Sequence, residues 1–393
     1  MILHLLDSLT LAKARTLYPH CRNGRIHLNH ASVGPLSTRV IEALNSHLQE
    51  RSSGVIETYR SDVQTAIDCR LSLQKLINAE SPDRIAFVTN TSDGINIIAG
   101  GLPWKSGDQI ILNDMEFPAN VYPYVRLQSQ GVILNILQSK ENKITPEMIE
   151  RSISPRTRVV AISAVQFLSG HRTDLETMGK LCRDKHIWFV VDGIQAVGAI
   201  KIDVQQMCID AFISGGQKWM MAPLGTGFLY LTEELQNSIN QHSLGWLSVE
   251  DPWNFFDYNQ PLASSAKRYE GGTLNYPGII GMKPAIETLL EFGVESIESH
   301  ILALTRILMD RLKNLHHFKL YSPDSDQDRA GIVTVELSDQ KIPLSVLQGL
   351  AKRNINVSLR EGKIRISPHF YNSPEEIEIT IDALEKEIEK IVK

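Results

Sequence analysis

Trp188-Phe189-Val190-Val191-Asp192-Gly193-Ile194-Gln195 decides how this chain is read. Four apolar residues run into Asp-Gly, the pattern of a buried strand that stops at a turn. Downstream, a second apolar run over 209–213 leads into Ser214-Gly215-Gly216-Gln217-Lys218-Trp219. Open α/β sheets display their chemistry at strand ends. The two stretches therefore put a carboxylate at one strand end and a lysine after another.

Outward from this pair, strands and helices alternate. Strands are expected over 84–88, 109–112, 132–134, 158–162 and 226–231, with helices over 95–99 and from Pro118 to about Gln130. Thr145-Pro146 has the chemistry of a helix start, and Asp174 caps a helix that ends near His186. This order predicts an α/β fold, a mostly parallel sheet covered by helices on both faces. Beyond about residue 280 the pattern changes. Long amphipathic helices are expected over 279–292 and 297–315, then strands over 331–337, 355–359 and 363–366, a helix over 344–353 and a terminal helix from Pro374. The expected division is an N-terminal arm or helix over 1–27 packing with the small domain, a large domain over 28–280 and a smaller α+β domain over 281–393.

Composition narrows the classes of function. A chain of 393 residues, 42% hydrophobic and 22% charged, is long enough for two domains with full cores. A net charge of −5 without a long basic block gives nucleic acid nothing to bind. No apolar run reaches the length of a membrane span. Met1-Ile2-Leu3-His4-Leu5-Leu6-Asp7 lacks the basic region and cleavage site of a signal peptide, so it reads as an arm or helix. Cys21, Cys69, Cys182 and Cys208 are scattered, without metal-type spacing, as in a reduced cytoplasmic protein. The histidines form no HExxH-type set, and no metal is expected.

One cofactor uses both a lysine and an acid. Pyridoxal phosphate takes a lysine as a Schiff base on its aldehyde and an acidic partner at its ring nitrogen. Asp192 fits the second role, because a nearby negative charge keeps the pyridine nitrogen protonated. Lys218 fits the first and would also shuttle the substrate α-proton; such a lysine needs a lowered pKa. Gln195 is placed to reach the ring oxygen, and Ser214 and Gln217 to reach the ring oxygen or phosphate. Thr89-Asn90-Thr91-Ser92-Asp93-Gly94 follows a strand and opens a helix, where free N–H groups and hydroxyls suit a phosphate. Taken alone, Thr91 and Ser92 would read as ordinary helix caps. Phe117 follows a strand in Asp114-Met115-Glu116-Phe117-Pro118-Ala119-Asn120.

With these motifs, the chain resembles the fold-type-I pyridoxal-phosphate enzymes of the class V aminotransferase group over nearly its whole length. That group includes cysteine desulfurases, cystine lyases and isopenicillin N epimerase-like proteins. The resemblance implies that Phe117 stacks on the cofactor ring. It implies that Thr273, in Arg268-Tyr269-Glu270-Gly271-Gly272-Thr273, reaches the cofactor phosphate of a neighbouring subunit, and so a homodimer with shared active sites. It also implies that Arg365, in Ile364-Arg365-Ile366-Ser367-Pro368-His369, grips the substrate carboxylate, with Asn29 as a second substrate contact.

Two departures limit what is inherited. Desulfurases carry a histidine where this chain has Phe117, and a nucleophilic cysteine on the loop before the carboxylate arginine. Here that loop is Arg360-Glu361-Gly362-Lys363, and the last cysteine is Cys208. A persulfide-forming desulfurase needs that thiolate. The expected activity is therefore chemistry at the amino-acid α-carbon, as transamination or C–S β-elimination, ranked above epimerisation, which needs a second proton donor such as His30 or His369. A pyridoxal-phosphate-binding protein without turnover is the reading from another class. It does not explain why a carboxylate clamp is kept. The substrate side chain stays open.

Overall fold

The computed structural model describes residues 3–337 and 341–392; Met1 and Ile2 of the expected arm lie outside them. Near the N-terminus, α1 (Ser8–Thr16), α2 (Pro19–Arg22) and β1 (Ile26–His27) are followed by two long helices, α3 (Thr38–Ser53) and α4 (Tyr59–Ile77). Then comes the alternating region: β2 (Ile85–Val88), α5 (Thr91–Gly101), β3 (Gln109–Asn113), α6 (Tyr122–Val125), β4 (Ile133–Leu137), α7 (Pro146–Ser152), β5 (Thr157–Ser163), α8 (Leu175–Asp184), β6 (Trp188–Asp192), β7 (Ala211–Gly215), β8 (Gly227–Leu231) and α9 (Glu233–Ser238).

These strands form one seven-stranded sheet in the order β2-β8-β7-β6-β5-β3-β4. All neighbours are parallel except β8, which runs antiparallel to both β7 and β2. The chain is thus an α/β fold with a mostly parallel sheet. Its central strands are apolar without interruption because both faces are covered. Val160, Ile162, Phe189 and Val191 enter the core on one face. Their neighbours Val159, Ala161 and Val190 enter the core on the other. Each strand therefore feeds two cores with the period of two that a pleated strand imposes.

The helix expected from Pro118 to Gln130 is broken into a 3₁₀ turn (Pro118–Asn120), α6 and a second 3₁₀ turn (Arg126–Gln130). Pro123 bears on the first break: it has no N–H to donate to the preceding turn, so a continuous helix cannot run through it from Pro118. Asp174 caps α8 as expected, accepting from Thr177 N.

The second half contains α10 (Tyr276–Phe292), α11 (Val294–Lys313), β9 (Phe318–Leu320), β10 (Val333–Leu337), α12 (Leu344–Lys352), β11 (Ile355–Asn356), β12 (Ser358–Arg360), β13 (Lys363–Ile366) and α13 (Pro374–Val392). The antiparallel order β12-β13-β10-β9 makes a four-stranded sheet, and β1 pairs in parallel with β11. Residue 280, the expected domain boundary, falls inside α10. The cores divide instead along α11: Val294, Ile297 and Ile301 belong to the large core, and Leu304, Leu308 and Leu312 to the small one. One continuous helix thus joins the bodies that supply the two sides of the site.

Candidate active site

Asp192 ends β6 and pairs in register with Ile213 of β7, so the Lys218 loop leaves the same sheet edge. Backbone bonds pin that loop. Gly34 N donates to Gln217 O at 2.8 Å, Gly216 N to Thr226 O at 2.7 Å and Met221 N to Lys218 O at 3.1 Å. A Cβ on Gly34 would stand 2.3 Å from the Lys218 carbonyl oxygen, so only glycine allows this approach.

Lys218 is mostly buried, and burial lowers its ammonium to about 8; Asp192 opposes the shift, while Arg365 and Arg360 add to it. Burial raises the Asp192 carboxyl to about 6; the Ile194 N–H bond opposes this, Glu116 adds to it and Lys218 opposes it. Lys218 Nζ stands 5.6 Å from the centre of the Phe117 ring. Phe117 is 44% exposed, and its ring meets Phe167 edge-on at 5.2 Å. A flat ligand reaching Lys218 thus has an open aromatic surface beside it.

Thr91 begins α5, and its Oγ1 accepts from Gly215 N at 3.0 Å, tying the helix start to the lysine loop. Asn90 caps this helix through Asp93 N. Gly94 lets α5 lie against β7, since a Cβ there would meet the Ile213 side chain at 2.6 Å. Ser92 and Gln217 are half-buried, and Ser214 is buried with Oγ on the Gly215 carbonyl. Gln195 donates to Ala31 O at 3.0 Å and accepts from Trp219 Nε1 at 2.8 Å. One amide hydrogen is left for a ligand. Thr273 is exposed and lines a cavity of about 120 Å³ with Phe87, Thr89, Thr226 and Glu270, and Lys218 is not among its lining residues.

Arg365 is 2% exposed. Its Nη1 donates to Phe167 O at 2.7 Å, Nη2 to Ser32 Oγ at 2.7 Å and Nε to Ser358 Oγ at 3.2 Å. Burial lowers this guanidinium to about 10, and Arg360 adds to the shift. All its partners are neutral oxygens. A buried cation held this way lacks the carboxylate that would offset its desolvation. Close by, Asn29 Oδ1 is buried without a partner.

His30 and His369 are fully buried and bonded. His30 bridges Ser367 O and the Tyr371 hydroxyl. His369 Nδ1 accepts from Phe370 N, which leaves Nε2 to carry the proton and donate to Trp219 O at 2.9 Å. Burial pushes His369 down to about 3. His369 thus braces the lysine loop and His30 the 367–371 segment, and neither has a free ring nitrogen.

Sequence reasoning missed Ser32, Glu116, Gln166 and the Phe167 carbonyl. Gln166 is fully buried with Oε1 unpartnered. The available signal was its place just beyond the β5 end, on the edge that carries Asp192. Among the described residues, no group of His, Cys, Asp and Glu could hold a metal. No helix among them is long and apolar enough to cross a membrane.

The residues fit pyridoxal phosphate: a lysine with a depressed pKa, an acid at the next strand end, a helix start with hydroxyls, an open aromatic ring and unsatisfied buried oxygens. Comparison with known proteins agrees. The family described as Aminotransferase class-V matches residues 26–379. A probable cysteine desulfurase of Methanothermobacter thermautotrophicus is 27% identical, over 92% of this chain and 94% of its own. The apo structure of a cysteine desulfurase from Thermococcus onnurineus NA1 superposes with a TM-score of 0.87 at 24% identity, over 96% of this chain and 98% of that one. The cystine C–S lyase C-DES, in complex with its reaction product cysteine persulfide, superposes at 0.85 and 24%, over 94% and 99%. This chain belongs to the aminotransferase class-V family, whose cofactor is pyridoxal phosphate.

Proposed function

We propose that the protein is a C–S lyase: a cytoplasmic, homodimeric enzyme that removes a sulfur leaving group from the β-carbon of an amino acid. The observation that carries amino-acid chemistry here is the buried, carboxylate-free Arg365 beside Lys218, and the tight β12–β13 turn without a cysteine favours elimination among its forms. The arginine is a ready clamp for an amino-acid carboxylate. When bound, pyridoxal phosphate supplies an electron sink conjugated to the α-carbon. The protein's residues do the rest. Lys218, at about 8, has free amine near neutral pH to take the α-proton. Arg365 and Asn29 orient the substrate, Asp192 holds the proton of the ring nitrogen, and Thr91 and Ser92 bind the phosphate. Thr273 serves the site of the second subunit.

The sulfur leaves with the product rather than on the enzyme. Burial raises the thiols of Cys21 to about 11 and of Cys69 and Cys182 to about 12, the reverse of an activated nucleophile. Where desulfurases carry their cysteine, β12 and β13 are joined by the tight turn Glu361-Gly362, both residues at positive φ. Transamination uses the same residues and is the second reading. Epimerisation is ranked below both, since Phe117 cannot carry a proton and His30 and His369 are engaged elsewhere.

The test is to mix the loaded protein with a panel of amino acids while following its visible spectrum and assaying keto acid, ammonia and sulfide. Keto acid, ammonia and a sulfur product in equal amounts support the lyase. Keto acid without ammonia, with the spectrum turning to the amine form, supports transamination. A spectrum unmoved by every amino acid leaves only a binding protein.

A further inference from the structure

Glu116 is buried just after β3, directly before Phe117. Its carboxylate receives five hydrogen bonds. Oε1 accepts from Asn113 Nδ2 at 2.6 Å, Ser163 N at 2.9 Å and Gln166 Nε2 at 2.8 Å. Oε2 accepts from Asn120 Nδ2 at 2.9 Å and Ser163 Oγ at 2.5 Å. Every partner is a neutral donor. Donors thus converge on both carboxyl oxygens, and the group is held in one orientation. Dipoles hold the group in place and no cation is salt-bridged to it among the described residues, so a charge there acts on its surroundings.

Those surroundings are the site. Ser163 is the register partner of Asp192 across β5 and β6, so the carboxylate is held on the strand residue next to Asp192. Glu116 is bonded to Phe117 in the chain. It also holds Gln166, which precedes Phe167. The Phe167 ring packs edge-on against Phe117, and its carbonyl anchors Arg365.

We propose that Glu116 is a positioning residue of this site. It fixes the Phe117–Phe167 wall and the anchor of Arg365, and it sets a second negative charge beside Asp192 that raises the proton affinity of the lysine-bound nitrogen of a bound cofactor. The inference rests on the reading that Lys218 and Asp192 hold pyridoxal phosphate. The groups facing Asp192 are Glu116, Lys218 and the Ile194 N–H. The buried Tyr124 phenol, whose oxygen has no partner, feels both carboxylates. Lys218 is faced by Asp192, Arg365 and Arg360. Glu116 and Asp192 are therefore the two negative charges in this set. The upward push of Glu116 on the Asp192 carboxyl agrees with the proposed direction.

The experiment is a pH titration of the visible absorption band in the loaded wild type, Glu116→Gln and Glu116→Asp. The band fades as the lysine-bound nitrogen loses its proton. In Glu116→Gln the midpoint is expected to move toward acid by about one pH unit, the scale of one charge acting through protein over several ångströms. Glu116→Asp keeps the charge and should restore most of the shift. If Glu116→Gln does not load, Ser163→Ala removes a donor while leaving the charge, so its midpoint should stay or move toward alkaline. A yellow wild type whose midpoint is unchanged in Glu116→Gln, or an acid shift in Ser163→Ala, overturns the proposal. A colourless wild type that takes up no pyridoxal phosphate sinks the cofactor reading as well.

Discussion

Lys218 and Arg365 are two cations brought to one site from different sheets, and neither has an acid salt-bridged to it among the described residues. Arg365 lowers the proton affinity of Lys218, so each makes the other more dependent on an incoming negative group. A substrate carboxylate relieves the arginine. An electrophilic carbonyl uses the amine that the arginine helps to free.

The depressed Lys218 ammonium sets the pH dependence of cofactor uptake. Free amine is required, and its pKa in the folded protein is about 8, below the ordinary lysine value. Uptake of pyridoxal phosphate by the apoprotein should therefore rise about tenfold per pH unit below 8 and level off above it. Stopped-flow absorbance across this range measures it. A rate still climbing near pH 10 would mean that Lys218 is solvated like a surface lysine.

Arg365→Ala should keep the visible band and lose turnover. The expected cost in kcat/KM is about 2–5 kcal/mol, the range for breaking a buried hydrogen-bonded charge pair. Arg365→Lys should recover only part, because an ammonium cannot reproduce the planar fork. Steady-state kinetics with the best amino acid of the panel decide it. Full activity in Arg365→Ala would move the clamp to Arg360.

The cysteines should be dispensable. A variant with alanine at Cys21, Cys69, Cys182 and Cys208 is expected to retain most of its C–S lyase rate, whatever stability it loses from its three buried positions. Mass spectrometry of the enzyme during turnover should show no added sulfur. A persulfide on any of the four would reinstate a thiol mechanism.

Acid should loosen the fold through His369. Burial depresses its pKa in the folded protein to about 3, against about 6.5 for an unperturbed histidine. The stability it contributes is complete above the unfolded value and is lost progressively as pH falls from about 6.5 toward 3. Between pH 6.5 and 4.5 this amounts to about 2–3 kcal/mol. Urea unfolding at several pH values, with His369→Gln as control, tests it. Equal pH dependence in both proteins would show that His369 is not a source of acid sensitivity.

The central sheet was legible because β5, β6, β7 and β8 are buried almost throughout and so read as unbroken apolar runs. The strand ends made Asp192 and Lys218 legible with them. The helices α3 and α4 were not delimited in advance, because their buried faces are diluted by polar residues, including the buried His47, Asp62 and Arg70. Glu116 was illegible for a different reason. A carboxylate that is buried because five donors converge on it looks locally like any surface glutamate, and the donors arrive from β3, β5 and two loops. Residues whose role depends on contacts across the sheet need the fold before they can be read.

Lys218 is the residue on which the cofactor is expected to be carried. The most direct measurement is borohydride reduction of the protein loaded with pyridoxal phosphate, followed by digestion and mass spectrometry. A phosphopyridoxyl group is expected on the peptide containing Lys218, with no fixed label at this site in Lys218→Ala. Label on another lysine, or a wild type that binds no cofactor to reduce, would contradict it.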